Sequence, residues 1–397
     1  MNAAIAYPPR LRRIALLTDR FVVGGGAEHI YQIARGMPEV EFGIFADGGD
    51  DTGRFENLLN VQLFRGGYAP QEVLGFKPDL IHVHHLRPLT RLFLNPLRRY
   101  RMPVYFTAHG MHIHQYEFLK GPLNMLKHRL RYQLERYLFH RVDKVVAVSR
   151  EDCRFIETAY RVRGCEYIPN GIDCRGIENI TLGKTALRRE LALPENAWLF
   201  LTVARFPFQK GHDVLLEAVA RIQQDLRERG VMFVLVGGMG QRFSEIQALA
   251  EALGVSDLVR FTGSRDDVYR FMKACDLLLL PSRWEGLPIT LLEAAVCRLP
   301  MLVSDTYGNR EIVTHRHSGL MFENENPAEL AKRMLEILDG RYDLVKLAGR
   351  ACRETLAQYA LPDMLMRLRK LYFPHKSYPK IQPPLRWESV VLDLKDG

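Results

Sequence analysis

Glu285 and Glu293 stand eight positions apart in the run Pro281-Ser282-Arg283-Trp284-Glu285-Gly286-Leu287-Pro288-Ile289-Thr290-Leu291-Leu292-Glu293. The run reads as the end of a buried strand at 277–280, a tight loop, and a helix with Pro288 near its first turn and Ile289, Leu292 and Val296 toward a core. Such a strand, loop and helix aims backbone N–H groups at whatever lies beyond the strand's carboxyl end, and a cluster of that kind prefers an anion, phosphate above all. Were residues 286–293 all helical, the two carboxylates would lie about 12 Å apart at ~1.5 Å of rise per residue. That is the reach of a nucleotide-sugar diphosphate, with one carboxylate at the sugar and the other at the ribose. Arg205 and Lys210 follow an apolar run ending at Val203. Two cations on one loop can grip a diphosphate from different sides and offset the charge that grows on a leaving nucleotide. Solvated surface residues are the ordinary alternative for both pairs.

Further residues with chemical potential cluster at other strand ends. Gly24-Gly25-Gly26 precedes a helix with Glu28 in its first turn, and such glycines let backbone approach a ligand closely. The similar Gly237-Gly238-Met239-Gly240 reads as a turn. Gly263-Ser264-Arg265, after the run 259–262, is a candidate contact for a nucleotide base, with a plain surface role open for Arg265. His109 closes the run 104–107 with His112 and His114 nearby, while His82, His84 and His85 follow another run. Imidazole is a common metal ligand, but no carboxylate or thiolate sits at metal-site spacing, so no metal is assigned.

Pro281-Ser282-x-x-Glu285-Gly286-x-Pro288 followed by Glu293-Ala294 resembles the E-x7-E signature of the retaining glycosyltransferases of family 4, which have the GT-B architecture. Val203-Ala204-Arg205-Phe206-x-x-x-Lys210-Gly211 looks like that family's diphosphate-binding segment, Ile168-Pro169-Asn170-Gly171-Ile172-Asp173 like its interdomain hinge, and Thr107-Ala108-His109-Gly110 like its active-site histidine loop. The resemblance spans roughly residues 11–355. It implies a retaining transfer of a sugar from a nucleotide diphosphate donor to a saccharide or lipid-linked saccharide acceptor, as in bacterial surface glycan synthesis. His109, Glu285, Arg205 and Lys210 then form the catalytic set. Gly25, Gly26, Gly263, Arg265, Gly286, Leu287 and Glu293 join Arg205, Lys210 and Glu285 on the donor, and His84 or His85 lines the acceptor side. No cofactor is expected, and the absence of a D-x-D motif points to a metal-independent enzyme.

The elements that must hold these residues are legible in the apolar patterning. Short runs at 14–18, 80–83, 104–107 and 145–148 alternate with helical patterns such as 27–37, and a second series occupies 199–203, 232–236, 259–262, 277–280 and 301–303. Buried strands separated by amphipathic helices imply parallel sheet, and two Rossmann-like domains facing a cleft form the expected α/β GT-B fold. Residues 1–172 make the acceptor-side domain, 173–354 the donor-binding domain, and 374–397 an extended, proline-bearing tail; the charged stretch up to Asn196 reads as linker or surface. The resemblance returns a C-terminal helix near 355–373 to the first domain. A chain of 397 residues favours two domains in any case.

Six scattered cysteines fit a reduced, cytoplasmic compartment, and the start of the chain is too broken by proline for a signal peptide. The net charge of +9 favours anionic partners. It concentrates between residues 86 and 141, at Arg87, Arg91, Arg98, Arg99, Arg101, Lys120, Lys127, Arg129, Arg131, Arg136 and Arg141. Without a nucleic-acid motif there, an anionic membrane surface or an acidic acceptor ranks first, and the membrane reading places the protein peripherally on the inner face of the plasma membrane. Leu119, Leu123, Leu126, Leu130, Leu134 and Tyr137 form a stripe flanked by these cations, either a core-packing face or an interfacial one. Rival functions are another GT-B enzyme, such as a sugar-nucleotide epimerase or a phosphorylase, and a non-catalytic sugar-nucleotide-binding assembly subunit.

Overall fold

The computed structural model describes residues 12–22, 24–49, 52–94, 100–238, 240 and 242–374. Arg98, Arg99, Met239 and the tail from residue 375 lie outside them. β1 (Arg12–Leu17), β2 (Val40–Phe45), β3 (Val61–Phe64), β4 (Leu80–Val83), β5 (Val104–Ala108), β6 (Lys144–Ala147) and β7 (Glu166–Tyr167) form a parallel sheet in the order 3-2-1-4-5-6-7. β8 (Trp198–Val203), β9 (Val231–Val236), β10 (Val259–Gly263), β11 (Leu277–Leu280), β12 (Met301–Ser304) and β13 (Leu320–Phe322) form a second, in the order 10-9-8-11-12-13. The strand order reverses at β1/β4 in one sheet and at β8/β11 in the other, and such reversals open a crevice at the strands' carboxyl ends.

Each sheet is buried on both faces, which is why its strands read as unbroken apolar runs. One face of the first sheet is closed by the helix Leu361–Tyr372, whose Leu361, Met364, Leu365 and Leu368 join Ile14, Leu16, Ile30 and Ile33 in one cluster. The chain reaches it through the hinge: Ile172 donates its N–H to Tyr359 O at 2.8 Å, and Leu361 N–H bonds Ile172 O at 3.2 Å.

Three expectations need correction. The stretch before Asn196 is no linker: it holds helices Arg175–Glu178 and Lys184–Glu190, and Leu187, Leu191 and Leu193 enter the core of the second sheet. Its Arg188 is buried, bonded to the carbonyls of Ala274, Glu195 and Ala197 and to Asp276. Strands β2, β3, β7 and β13 join those expected. The apolar stripe of the helix Pro122–Phe139 is also not a core face. Leu123, Leu126 and Leu130 are 63%, 55% and 62% exposed, and Met125 71%, while the buried residues of this helix are Glu135, Leu138 and Phe139.

Candidate functional site

A cleft enclosing about 930 Å³ runs between the carboxyl ends of the two sheets. On its second-sheet side Lys210 Nζ meets Glu285 Oε1 at 2.5 Å, with both side chains largely buried. Arg205 is exposed to the same space, and its guanidinium has no hydrogen bond or ion pair to another described residue. The loop that carries Glu285 is fixed from beneath. Gln209 Nε2 donates to Trp284 O at 2.9 Å, Asn324 Nδ2 to Arg283 O at 2.8 Å, and Arg283 N–H to Gln209 O at 2.7 Å. The buried Arg283 guanidinium lies 3.8 Å from the centre of the Phe208 ring and pairs with Asp213 and Glu325. Gly211, at φ +64°, must lack a side chain, because a Cβ would stand 2.0 Å from Pro281 O.

The helix after this loop begins at Ile289, with Pro288 as its cap residue, so residues 286–288 are not helical and the 12 Å spacing based on a helix from 286 does not apply. Glu293 lies inside the cleft wall. Burial, and then the facing carboxylate of Glu28, push it up to about 7 against a hydrogen bond from Tyr269. Glu28 comes from the opposite sheet's side, where Arg54 Nη1 at 2.6 Å and Gln32 Nε2 at 3.0 Å hold it. Arg265 lines the cleft, but both arms of its guanidinium fork engage Asp267, at 2.8 and 2.7 Å. Gly263 ends β10 at φ +75° and is not itself part of the cleft wall.

The first-sheet side presents imidazoles. His109 Nε2 lies 3.1 Å from His84 Nδ1, and burial drives both rings well below the usual histidine range. His84 is 1% exposed and stands at the cleft wall beside His109. His85 sits at the cleft wall with Nδ1 3.0 Å from Thr18 Oγ1 and Nε2 toward Gly26. His82 bridges Tyr372 OH at 2.6 Å and Thr107 Oγ1 at 2.7 Å. His29, not singled out in the sequence, packs 4.8 Å from His109, ring to ring, and burial lowers it to about 4. One ring nitrogen each from His29, His84 and His109 lie within 4.8 Å of one another, a grouping that sequence spacing hid because the three arrive from different elements. Buried, neutral imidazoles could hold a soft divalent ion there.

The two halves touch at their glycines. A Cβ on Gly286 would stand 2.7 Å from Gly110 N and 2.8 Å from His109 C, so the Glu285 and His109 loops meet backbone to backbone. Asn170 of the hinge donates to Leu287 O at 2.8 Å. Gly25, Gly26, His84, His85, His109, Arg205, Lys210, Arg265, Glu285, Gly286, Leu287 and Glu293 thus border one cavity, although they span most of the sequence.

Residues 23–175 match the model of Glycosyltransferase Family 4, and residues 183–354 that of Glycosyl transferases group 1. The uncharacterized glycosyltransferase MJ1178 of Methanocaldococcus jannaschii is 25% identical over 88% of this chain and 94% of its own. An N,N'-diacetylbacillosaminyl-diphospho-undecaprenol alpha-1,3-N-acetylgalactosaminyltransferase of Campylobacter jejuni is 30% identical over 44% of each. Among solved structures, Anabaena HepE in complex with UDP-glucose superposes with a TM-score of 0.75 at 21% identity, covering 91% of this chain and 99% of HepE. WaaG, a glycosyltransferase involved in lipopolysaccharide biosynthesis, gives 0.74 at 20% identity over 90% and 99%. Two successive family matches, on the two Rossmann-like halves of one cleft, show that the chain belongs to the GT-B glycosyltransferases.

Proposed function

We propose that this glycosyltransferase is a retaining, metal-independent hexosyltransferase. It moves a sugar from a nucleotide diphosphate sugar to a saccharide or lipid-linked saccharide acceptor, in the building of a bacterial surface glycan. The observation that carries the donor reading is the cationic pair beside two carboxylates. Arg205 faces the cleft without an anionic partner, Lys210 is held on Glu285, and Glu293 lines the same cleft. A diphosphate entering between Arg205 and Lys210 supplies the missing anion and draws Lys210 toward it, which leaves Glu285 an open oxygen for a sugar hydroxyl. Glu293 then accepts from the ribose hydroxyls. His109 enters from the opposite wall with its ring neutral, so it contacts the sugar by hydrogen bond rather than by charge.

The UDP-glucose held by HepE supports a nucleotide-sugar donor, and the names of WaaG and of the Campylobacter transferase support an acceptor in surface glycan assembly. Retention follows the family resemblance: the acceptor attacks on the face that the nucleotide leaves. No helix among the described residues is long and apolar enough to cross a membrane. Contact with the bilayer therefore rests on the exposed Leu123, Met125, Leu126 and Leu130 with Lys120, Lys127 and Arg129 beside them, an apolar stripe edged with cations suited to an anionic interface.

A thermal-shift panel of nucleotides and nucleotide sugars identifies the donor. With it in hand, Lys210→Ala should lower kcat by about 100-fold or more, as expected when a donor to the developing charge is lost. Near-normal turnover would remove Lys210 from the clamp. The anomeric coupling constant of the product, read by NMR, tests retention.

A further inference from the structure

Three imidazoles meet at the first-sheet wall of the cleft, and two of them carry ring nitrogens that the fold leaves unsatisfied. His29 comes from the helix Gly25–Gly36, His84 from the loop after β4 and His109 from the loop after β5. One nitrogen of each lies within 4.8 Å of the others, and no other trio of His, Cys, Asp or Glu converges so among the described residues. His29 and His84 are each 1% exposed. Yet neither nitrogen of His29 makes a well-formed hydrogen bond, and Nε2 of His84 has none; the 3.1 Å contact of His84 Nδ1 with His109 Nε2 takes up one nitrogen of each of those rings. Neighbouring His82 is the contrast, a structural histidine with both nitrogens used, by Tyr372 and Thr107.

A buried polar group that the fold leaves over calls for a water or an ion, and these atoms suit an ion. Enclosure holds all three rings below the usual histidine range, so their lone pairs are not spent on protons at neutral pH. Asn170, whose Oδ1 is also unbonded, is the side chain that draws on a His29 proton, the service that a carbonyl commonly gives to the outer nitrogen of a ligating imidazole. Three imidazoles with a fourth place left to water suit zinc, whereas magnesium and manganese prefer oxygen ligands. Tetrahedral Zn–N bonds of ~2.05 Å set ligand nitrogens roughly 3.4 Å apart. The 3.1 Å pair already stands near that separation, and the wider 4.8 Å span must draw in. His109 is the least buried of the three rings, so the fourth place opens on its side, toward the cleft.

We propose that His29, His84 and His109 form a binding site for a zinc-like divalent ion, and that filling it withdraws His109 from the sugar, so that the ion silences transfer. The metal-free chain is then the active one. The inhibitory half rests on the contact between His109 and the donor sugar proposed above; the site itself rests on the three rings alone.

The test strips the full chain with EDTA, dialyses it and titrates it with Co2+, whose visible absorption reports tetrahedral coordination; Zn2+ then displaces the Co2+. Cys153 Sγ and Cys165 Sγ stand 2.9 Å apart and offer a second soft pair, so every protein compared carries Cys153→Ser. One Co2+ should bind per chain. His29→Leu, or His29→Asn should leucine prevent folding, should weaken it by about tenfold or more, since even residues behind a ligand cost that much; nucleotide binding reports a folded chain. Saturating Zn2+ should cut transfer by about tenfold or more, EDTA should restore it, and the His29 variant should keep its own rate on the same addition. No tetrahedral Co2+ spectrum in the parent, or equal affinity in a folded His29 variant, overturns the site. A site that fills while transfer continues overturns the inhibitory half and takes His109 off the sugar. A chain that binds Co2+ as expected but transfers nothing from any donor supports the site while it removes the glycosyl-transfer reading.

Discussion

Glu293 should give donor binding a pH dependence of definite sign. Its value near 7 lies above the ordinary glutamate range, so the side chain is mostly protonated at pH 6 and ionised at pH 8. Ribose hydroxyls are better held by the carboxylate, so binding lowers that value and affinity rises with pH. For a nucleotide diphosphate sugar, whose phosphates do not titrate here, the dissociation constant should fall by up to about tenfold from pH 6 to pH 8, following the ionised fraction. Isothermal titration is the measurement, and Glu293→Gln should flatten the profile. For stability the sign is opposite. The raised carboxyl costs nothing below the unfolded value, and the protein loses stability as pH climbs from there through 7. Metal independence belongs to this scale as well, since the grouping of His29, His84 and His109 makes it a real question. Transfer should proceed unchanged in excess EDTA; loss in the chelator, with recovery on adding manganese or magnesium, would show an essential ion. Glu285, Lys210 and Arg205 were legible because each lies in a local run with its own chemical context. His29 was not, because its role comes from rings just after β4 and just after β5, and no short-range pattern announces a contact made through the fold.

The loops that meet at Gly110 and Gly286 act as elements. Gly286 does not need a positive φ, so replacing it by alanine tests only the space between the loops. The added Cβ must push Gly110 and His109 away by several tenths of an ångström or more, and a shift of that order at the reacting centre costs about 100-fold in rate. Gly286→Ala should therefore retain nucleotide binding on the second-sheet side while transfer collapses, as separate binding and turnover assays would reveal. Elements differed in how readily their sequence disclosed them. β1, β4, β5 and β11 announce themselves as uninterrupted apolar runs. β2, Val-Glu-Phe-Gly-Ile-Phe, does not, because Gly43 interrupts it; that glycine makes room for Phe76, which a Cβ would meet at 3.0 Å. β7 has two residues and β13 three, too few for any periodicity to register. The supposed linker deceived for another reason. Arg188 counts as surface charge in a sequence, yet here it is a buried bracket that ties three carbonyls and Asp276 together beneath Leu187.

At the scale of the whole molecule, the two-sheet plan and its cleft followed from length and from the two series of apolar runs. The distribution of charge was only partly readable. Arg87 is paired with Asp19 and Asp47, and Arg131 turns into the cleft, so neither adds simply to an outward basic face. Reversing the outward cations Lys120, Lys127 and Arg129 to Glu is the cleaner experiment. Each contributes about 1 kcal/mol at an anionic surface, and salt weakens it. Wild type should co-sediment with phosphatidylglycerol vesicles at low salt, and the triple variant should stay in the supernatant with nucleotide affinity unchanged. A wild type that fails to sediment even at low salt would end the membrane reading. The helix Leu361–Tyr372 carries a consequence of another kind, in time rather than space. A ribosome delivers β1 and the helix Gly25–Gly36 more than three hundred residues before the helix Leu361–Tyr372, yet Leu365 fits against Gly36 so closely that a Cβ there would stand 2.4 Å from Leu365 Cδ1. Until that helix is made the nascent first sheet must therefore wait with Ile14, Leu16, Ile30 and Ile33 uncovered by it, while the second sheet, whose strands all precede the helix, can complete itself. The half of the enzyme made first is the half finished last.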